Sequence, residues 1–320
     1  MRAILVDKQQ RLVWSEVPDP VAKENELLVE VRAAALNRAD LMQRAGDYPP
    51  PPGWPEWMGL EVAGVVLTAP AQSRFRTGDH VCALLGGGGY AERVAVPANM
   101  ALPIPAGLSM AEAAALPEAF ATSYLNLCLE GGMKAGDLVL IQAGASGLGI
   151  AAIQLAKTLG ATVVTTVGTE EKARFVRGIG ADIVVNRRSG DLGAIMDKHP
   201  VNIAMDCVAG VSLGTNLVKM APGGRWIVIA TLGGPKTEID MGLFFRRGLR
   251  LIGSTLRSRS PEMKAQILSG VESLLWDRFS SGQLRPVLHK TLPMHTHAEE
   301  AHAILQNDGN IGKVVLTACP

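Results

Sequence analysis

Gly136-Asp137-Leu138-Val139-Leu140-Ile141-Gln142-Ala143-Gly144-Ala145-Ser146-Gly147-Leu148-Gly149-Ile150, running on through Ala151 to Gly160, is the stretch that decides the fold. Leu138 to Ile141 is a short apolar run that predicts a buried strand. A glycine cluster then turns the chain, and Ile150, Ile153, Gln154 and Ala156 follow at helical spacing until Gly160 stops the helix. Strand, tight turn and helix in that order make a phosphate site, because glycines let backbone approach closely and the helix start offers free N–H groups and a favourable dipole. The run Gly144-Ala145-Ser146-Gly147-Leu148-Gly149 keeps the first and last glycines of G-x-G-x-x-G, with serine at the middle one. A second strand, Ala161 to Val167, follows directly, which is the context a dinucleotide site requires. Leu138 to Ala156 carries no charge and approaches bilayer-spanning length. Its glycines, glutamines and serine, and the alternating elements around it, favour the soluble reading.

Outward from this stretch, 320 residues suffice for two domains with separate cores. Hydrophobic residues make up 48% and charged ones 19%, the balance of a folded, soluble, enzyme-like chain. A net charge of +1 gives no reason to expect nucleic acid or a membrane surface as partner. The N-terminal Met1-Arg2-Ala3-Ile4-Leu5-Val6-Asp7 meets a charge too early for a signal peptide, so the expected location is cytoplasmic. Cys82, Cys128, Cys207 and Cys319 are scattered and make neither a zinc lobe nor a disulfide framework. His295, His297 and His302 cluster at a predicted helix start, where solvated side chains are expected rather than a metal site.

From Met1 to about Pro105, strand signals (Arg2 to Val6, Glu26 to Ala35, Glu61 to Thr68, His80 to Leu85, Tyr90 to Val96) alternate with turns, as in a small β-barrel. Gly86-Gly87-Gly88-Gly89 reads as a flexible loop, and Pro49 to Pro55 as a rigid wall or surface loop. Ser109 to Leu127 reads as one helix, with Ser109 and Glu112 forming a capping box. From Gly136 strands and helices alternate as far as Leu251–Gly253, which predicts a doubly wound parallel sheet. A helix from Pro261 and a strand from Lys313 to Thr317 belong to neither pattern and would return to the first domain. The domains expected are therefore 1–119 with 257–320, and 120–256.

Asn37-Arg38-Ala39-Asp40, Gly59-Leu60-Glu61-Val62-Ala63-Gly64, Gly78-Asp79-His80-Val81, the Ala143–Gly149 run and Asn310-Ile311-Gly312-Lys313 occur in order along nearly the whole chain. This ordered set resembles the zinc-free quinone oxidoreductases of the medium-chain dehydrogenase/reductase superfamily. Gly46 to Gly53 and Gly253 to Arg259 are similar to its tumour-suppressor-inducible branch. The resemblance implies a Rossmann doubly wound sheet inserted in a GroES-like β-barrel catalytic domain, a cleft that holds NADPH, and a homodimer paired through Leu249 to Ile252.

Zinc relatives hold their catalytic metal with a cysteine, a histidine in G-H-E and a further cysteine or acid. By resemblance these positions fall here on Asn37, Leu60 and near Glu118, which is no zinc site. Without a Lewis acid, the acceptor must already be electrophilic: a small planar quinone or an enone. Tyr48 is placed as the carbonyl donor, or else as a loop tyrosine packed on prolines. Asn37 and Asp40 either orient substrate or nicotinamide ribose, or serve turn chemistry. Ser146 contacts the cofactor or only tolerates its turn.

No acid stands at Val167-Gly168-Thr169, the tip where NAD-selective sites carry one, and Lys172 lies one turn into the next helix. Arg187, after the third strand, adds a second cation for a 2′-phosphate, or is a solvated loop residue. NADPH is the cofactor these residues favour. Strand ends at Cys207-Val208, Ala230-Thr231-Leu232 and Ser254-Thr255-Leu256 complete the expected cofactor set, with Thr122 and Lys313 added by resemblance; Lys313 is otherwise a surface lysine. The function expected is NADPH-dependent quinone reduction. An enone or enoyl reductase and a non-catalytic NADPH-binding protein are the alternatives.

Overall fold

The N-terminal apolar run forms a hairpin, β1 (Arg2–Val6) with β2 (Leu12–Glu16), around a turn in which Asp7 Oδ1 accepts the amides of Gln9 and Arg11. The second strand was not foreseen. Beyond it come β3 (Glu26–Ala35), the short helix α1 (Arg38–Ala45), β4 (Glu61–Thr68), β5 (His80–Leu84), β6 (Arg93–Pro97) and β7 (Ala101–Pro103). Burial alternates along β3 and β6, the mark of strands with one face inward. The predicted single helix from Ser109 is broken. Ser109 caps α2 (Met110–Ala114) through the expected box, but Pro117 opens a separate α3 (Pro117–Tyr124), which passes into a π-helical turn at Leu125–Glu130. A proline inside a helix removes a donor and clashes with the preceding turn, so the break falls where physics demands it.

The next segment is the alternating one: β8 (Leu138–Ile141), α4 (Gly147–Thr158), β9 (Thr162–Val167), α5 (Glu170–Gly178), β10 (Ile183–Asn186), α6 (Leu192–Lys198), β11 (Ile203–Asp206), α7 (Gly210–Leu217), β12 (Arg225–Val228), α8 (Met241–Arg246) and β13 (Arg250–Gly253). The six strands are all parallel, in the order β10-β9-β8-β11-β12-β13. Strand order reverses between β8 and β11, the point outside whose strand ends ligands of open α/β sheets bind. Leu140, Val164, Ala204 and Trp226 pack one face of this sheet against Met196, Leu213 and Leu217.

The chain then forms α9 (Pro261–Ser280), β14 (Leu288–Pro293), α10 (Met294–Gln306) and β15 (Lys313–Thr317). β15 pairs with β3, so the C-terminal strand closes the sheet begun by the N-terminal segment, in the order β14-β15-β3-β4-β5-β7 with β6 on β3. This is the α/β architecture with a GroES-like unit that the sequence implies.

This computed structural model describes residues 1–318, so Cys319 lies outside the described residues. The chain divides into two compact units, Met1–Ala121 with the segment from Arg257 onward, and Thr122–Leu256. Among the described residues no helix is long and apolar enough to cross a membrane.

Candidate active site

In the first unit, polar side chains gather where α1, β4, α3 and β15 begin. Lys313, the first residue of β15, is 6% exposed, and its ammonium donates to Leu36 O at 2.6 Å, to Asn37 Oδ1 at 2.8 Å and to Glu61 Oε1. Three donors meet three acceptors. Lys313 is thus no surface lysine but a buried cation bound by three acceptors. Glu61, fully buried, also accepts Asn37 Nδ2 at 3.0 Å and, on Oε2, the Glu118 amide at 2.8 Å. Its neighbour across the strand pleat, Leu60, is 2% exposed and points carbon, not nitrogen, into the core.

Asn37 and Asp40 stand at the start of a helix, α1, that the sequence reading did not predict. Asp40 Oδ2 accepts the Asn37 amide at 2.7 Å, and Asn37 O accepts the Asp40 amide at 3.0 Å; Gly46, at φ +87°, ends the helix. Asn followed by Asp at the third position and glycine after the last turn was the available signal. Asp40 is 1% exposed and takes a second amide, Gly59 N, at 3.1 Å. Burial pushes its carboxyl up to about 6, against the amides of Asn37 and Gly59 and the charge of Lys313. Glu118 is pushed further, up to about 8, by burial and then by the charge of Glu61. It therefore keeps its proton at neutral pH.

Tyr48 sits half-buried in the long loop between α1 and β4. Its ring lies under the Arg257 guanidinium, 4.3 Å from the ring centroid. Burial raises its phenol above the ordinary value, while Arg257 works the other way. The loop is tied to the Gly86–Gly89 run, which is wholly buried and not the flexible loop expected. A side chain on Gly86 would meet the Trp54 ring at 2.6 Å, and one on Gly59 the Gly89 backbone at 2.5 Å. The glycines admit the proline-rich wall, and Trp57 Nε1 donates to Gly88 O at 3.1 Å.

Behind this cluster lies a histidine that the sequence reading expected in solvent. His295 and His297 are exposed, but His302 is 1% exposed, neither ring nitrogen has a hydrogen-bond partner among the described residues, and its ring meets Tyr90 edge-on at 6.0 Å. Burial pushes it down to about 4, so it is neutral at physiological pH.

The donor set does not suit zinc. Leu60 has no ligating atom, while Asn37 Oδ1 and Glu61 Oε1 are both occupied by the Lys313 ammonium. Among the described residues no three His, Cys, Asp or Glu side chains are grouped to hold a metal ion.

In the second unit the expected cofactor residues cluster at the C-terminal strand ends. Ser146 caps α4, its Oγ accepting the Gly149 amide at 3.0 Å, which leaves the hydroxyl proton to be donated elsewhere. Gly144 and Gly149 are needed for packing. A Cβ on Gly144 would strike Thr165 Oγ1, and one on Gly149 the Ala143 carbonyl, while the left-handed residue of the turn is Ala143 at φ +55°. Ala145 is buried, and Gly147 and Leu148 form the first turn of α4, whose amides have no acceptor within a helix.

At the tip of β9, Thr169 caps α5 by accepting the Lys172 amide at 3.2 Å. A Cβ on Gly168 would lie 3.5 Å from Arg187 Nε and Nη2, which puts that guanidinium beside the tip. Glu170, the nearest acid, accepts Asn186 Nδ2 at 2.8 Å. These residues fit a dinucleotide: backbone amides stand at one helix start, and the Arg187 guanidinium lies beside the next strand tip. Cys207 and Val208 follow β11 and pair through backbone with Leu232 and Gly233. Buried Asp206 holds that turn by accepting the amides of Val208 at 2.7 Å and Ala209 at 3.0 Å and Trp226 Nε1 at 2.8 Å. Ala230 is half-buried and Leu232 is 55% exposed; Ser254 and Leu256 are buried while Thr255 is exposed. Thr122 contributes its carbonyl to Asn126 Nδ2 at 2.7 Å.

The alcohol dehydrogenase GroES-like domain matches residues 23–106, and the zinc-binding dehydrogenase family matches residues 147–272. The quinone oxidoreductase of Sus scrofa is 30% identical over 308 residues, 94% of this chain and 92% of that protein. The quinone oxidoreductase from Thermus thermophilus, solved also in complex with NADPH, is 31% identical with a TM-score of 0.82 over 99% of this chain and 100% of its own. A reducing polyketide synthase of Metacordyceps chlamydosporia is 29% identical over 92% of this chain, a match that spans 12% of that much longer protein. With family models on both units and relatives of this identity along nearly its whole length, the chain belongs to the medium-chain dehydrogenase/reductase superfamily and is an oxidoreductase of that family.

Proposed function

We propose that this protein is an NADPH-dependent, zinc-independent quinone oxidoreductase. The observation that supports the reading is the fate of two positions where, by resemblance, zinc relatives keep metal ligands: Leu60 is buried carbon, and Asn37 Oδ1 accepts the Lys313 ammonium. Zinc relatives oxidise alcohols with a Lewis acid on oxygen; quinone reduction needs none, because the quinone carbonyls already draw electrons. When bound, the dihydronicotinamide supplies the hydride.

The chain's own contribution is recognition and alignment. The start of α4 faces the pyrophosphate, and Lys172 and Arg187 take the 2′-phosphate that distinguishes NADPH from NADH. Tyr48 donates a hydrogen bond to the acceptor carbonyl, and Glu118 holds a proton at its carboxyl at neutral pH. The polyketide synthase relative favours a second reading, enone or enoyl reduction, with the same cofactor residues. Pairing of two copies through β13 is also proposed. It is the edge strand of the six-stranded sheet, with Leu251 40% exposed and Phe245 in the preceding helix 70% exposed.

Steady-state oxidation of NADPH and of NADH, each against a quinone and a simple enone with a metal chelator present, tests the reading. Fast NADPH oxidation with quinone is expected. Activity restored only by zinc would overturn it, and turnover of the enone alone would transfer the assignment to the second reading.

A further inference from the structure

Where the chain re-enters the first unit it places Arg257 at a junction of three separate segments. Nη1 donates to Tyr48 O at 2.9 Å; Nη2 donates to Gln43 Oε1 at 2.8 Å and to Gly86 O at 2.9 Å. One guanidinium thus joins helix α1, the Tyr48 loop and the buried glycine run. Each segment is tied again: Gln43 Nε2 donates to Glu56 O at 2.8 Å, and the Arg257 carbonyl accepts Lys264 Nζ from α9 at 3.0 Å. Lys264 is itself 5% exposed. The loop from Asp47 to Leu60 has no helix or strand of its own, and segments of this kind in a folded domain hold one geometry only when something fixes them.

The three carbonyl oxygens that Arg257 binds, those of Tyr48, Gln43 and Gly86, are all neutral. Among the described residues no carboxylate forms an ion pair with Arg257, so the half-buried guanidinium keeps its positive field, and the face of the Tyr48 ring lies within it, its centroid at 4.3 Å. The other charged groups that act on Arg257 are the carboxyls of buried Asp40 and half-buried Glu118 and, in the opposite sense, the Lys264 ammonium. Simple packing of the loop would be served by a neutral side chain. A planar, charged fork does two further things: it sets the plane of the phenol ring and withdraws electron density from it, which strengthens the hydroxyl as a donor.

We propose that Arg257 is the positioning residue of the acceptor site, holding Tyr48 in one orientation and polarising its hydroxyl toward the acceptor carbonyl. The proposal rests on the reading of Tyr48 as carbonyl donor to a quinone or enone.

The test compares Arg257→Met, Arg257→Lys, Tyr48→Phe and the double variant Tyr48→Phe/Arg257→Met in the full chain. Acceptor kcat/KM should fall about tenfold to a hundredfold in Arg257→Met, with NADPH affinity unchanged. Arg257→Lys should recover only part, because an ammonium cannot reproduce the fork. The double variant should be no slower than Tyr48→Phe alone, whereas independent structural damage would multiply. Tyr48 ionisation, read by ultraviolet difference spectra against Tyr48→Phe, should move to higher pH in Arg257→Met. An unmoved titration or multiplicative losses would overturn the proposal. Arg257→Lys serves if the methionine variant does not fold. Should the native chain turn over no quinone or enone, the functional reading fails and this proposal with it, and the titration separates that failure from failure of the clamp.

Discussion

The two polar regions of this molecule are built on opposite plans. In the first unit, side chains bind one another: Lys313, Asn37, Glu61 and Asp40 close a buried network around the start of β15 and α1. In the second unit, side chains withdraw and backbone is presented. Gly144 and Gly149 bring strand and helix together, and the Ser146 hydroxyl turns inward as a cap. The first plan makes a site whose geometry depends on charge compensation, so that one substitution disturbs many groups. The second makes a site that tolerates side-chain change but not added volume.

The largest effect expected is at Lys313. Lys313→Met leaves Glu61 buried without its cation and should cost about 3–5 kcal/mol in chemical denaturation. Adding Glu61→Leu should restore much of this, since the uncompensated charge goes too. A loss no larger than 1 kcal/mol would mean that the network is not closed in the way described.

Next in size are the cations at the tip of β9. Arg187→Ala and Lys172→Ala should each weaken NADPH binding about tenfold or more while leaving NADH binding nearly unchanged, as loss of a charge-assisted phosphate contact predicts. Isothermal titration checks the ratio. Equal weakening of both cofactors would show that these side chains do not read the phosphate.

His302 should act in the opposite sense, because its removal relieves the fold. His302→Phe keeps the edge-on contact with Tyr90 and removes two buried nitrogens without partners, for a gain of about 1–2 kcal/mol at neutral pH. The native histidine has its pKa depressed from 6.5 to about 4. The unfolded chain therefore binds the proton first, and stability falls as pH drops from 6.5 to 4, by about 3 kcal/mol in the limit. Glu118 has the reverse sign: raised from 4.5 to about 8, it loses stability as pH rises through that window. His302→Phe should flatten the acid side of the stability profile and Glu118→Gln the alkaline side. Denaturation midpoints across pH decide both.

Ser146→Ala should have the smallest effect, about 1 kcal/mol of helix-cap stability. A much greater loss of NADPH affinity than of stability would return the serine to a direct cofactor role.

The same contrast explains what could be read without a structure. Backbone patterns announce themselves through glycine spacing and strand-helix alternation, so the parallel sheet and its first strand, turn and helix were legible in Gly136 to Gly160. The network of the first unit was not. Lys313 and Glu61 are 252 residues apart in sequence, and nothing local tells a buried lysine from an exposed one. Four consecutive glycines suggest flexibility until Trp54 and Pro55 are seen against them. Arg257 stood in view inside Gly253 to Arg259, yet its three acceptors lie 171 to 214 residues away. Helix α1 was the avoidable miss, since Asn37, Asp40 and Gly46 carry its start and stop.

The most direct measurement is stopped-flow oxidation of NADPH bound to the protein on mixing with 1,2-naphthoquinone, in chelator, with NADH in parallel. The account predicts rapid loss of reduced cofactor absorbance from the NADPH complex, unaffected by the chelator, and a far weaker response with NADH. Tightly bound NADPH that stays reduced in the presence of quinone would contradict it.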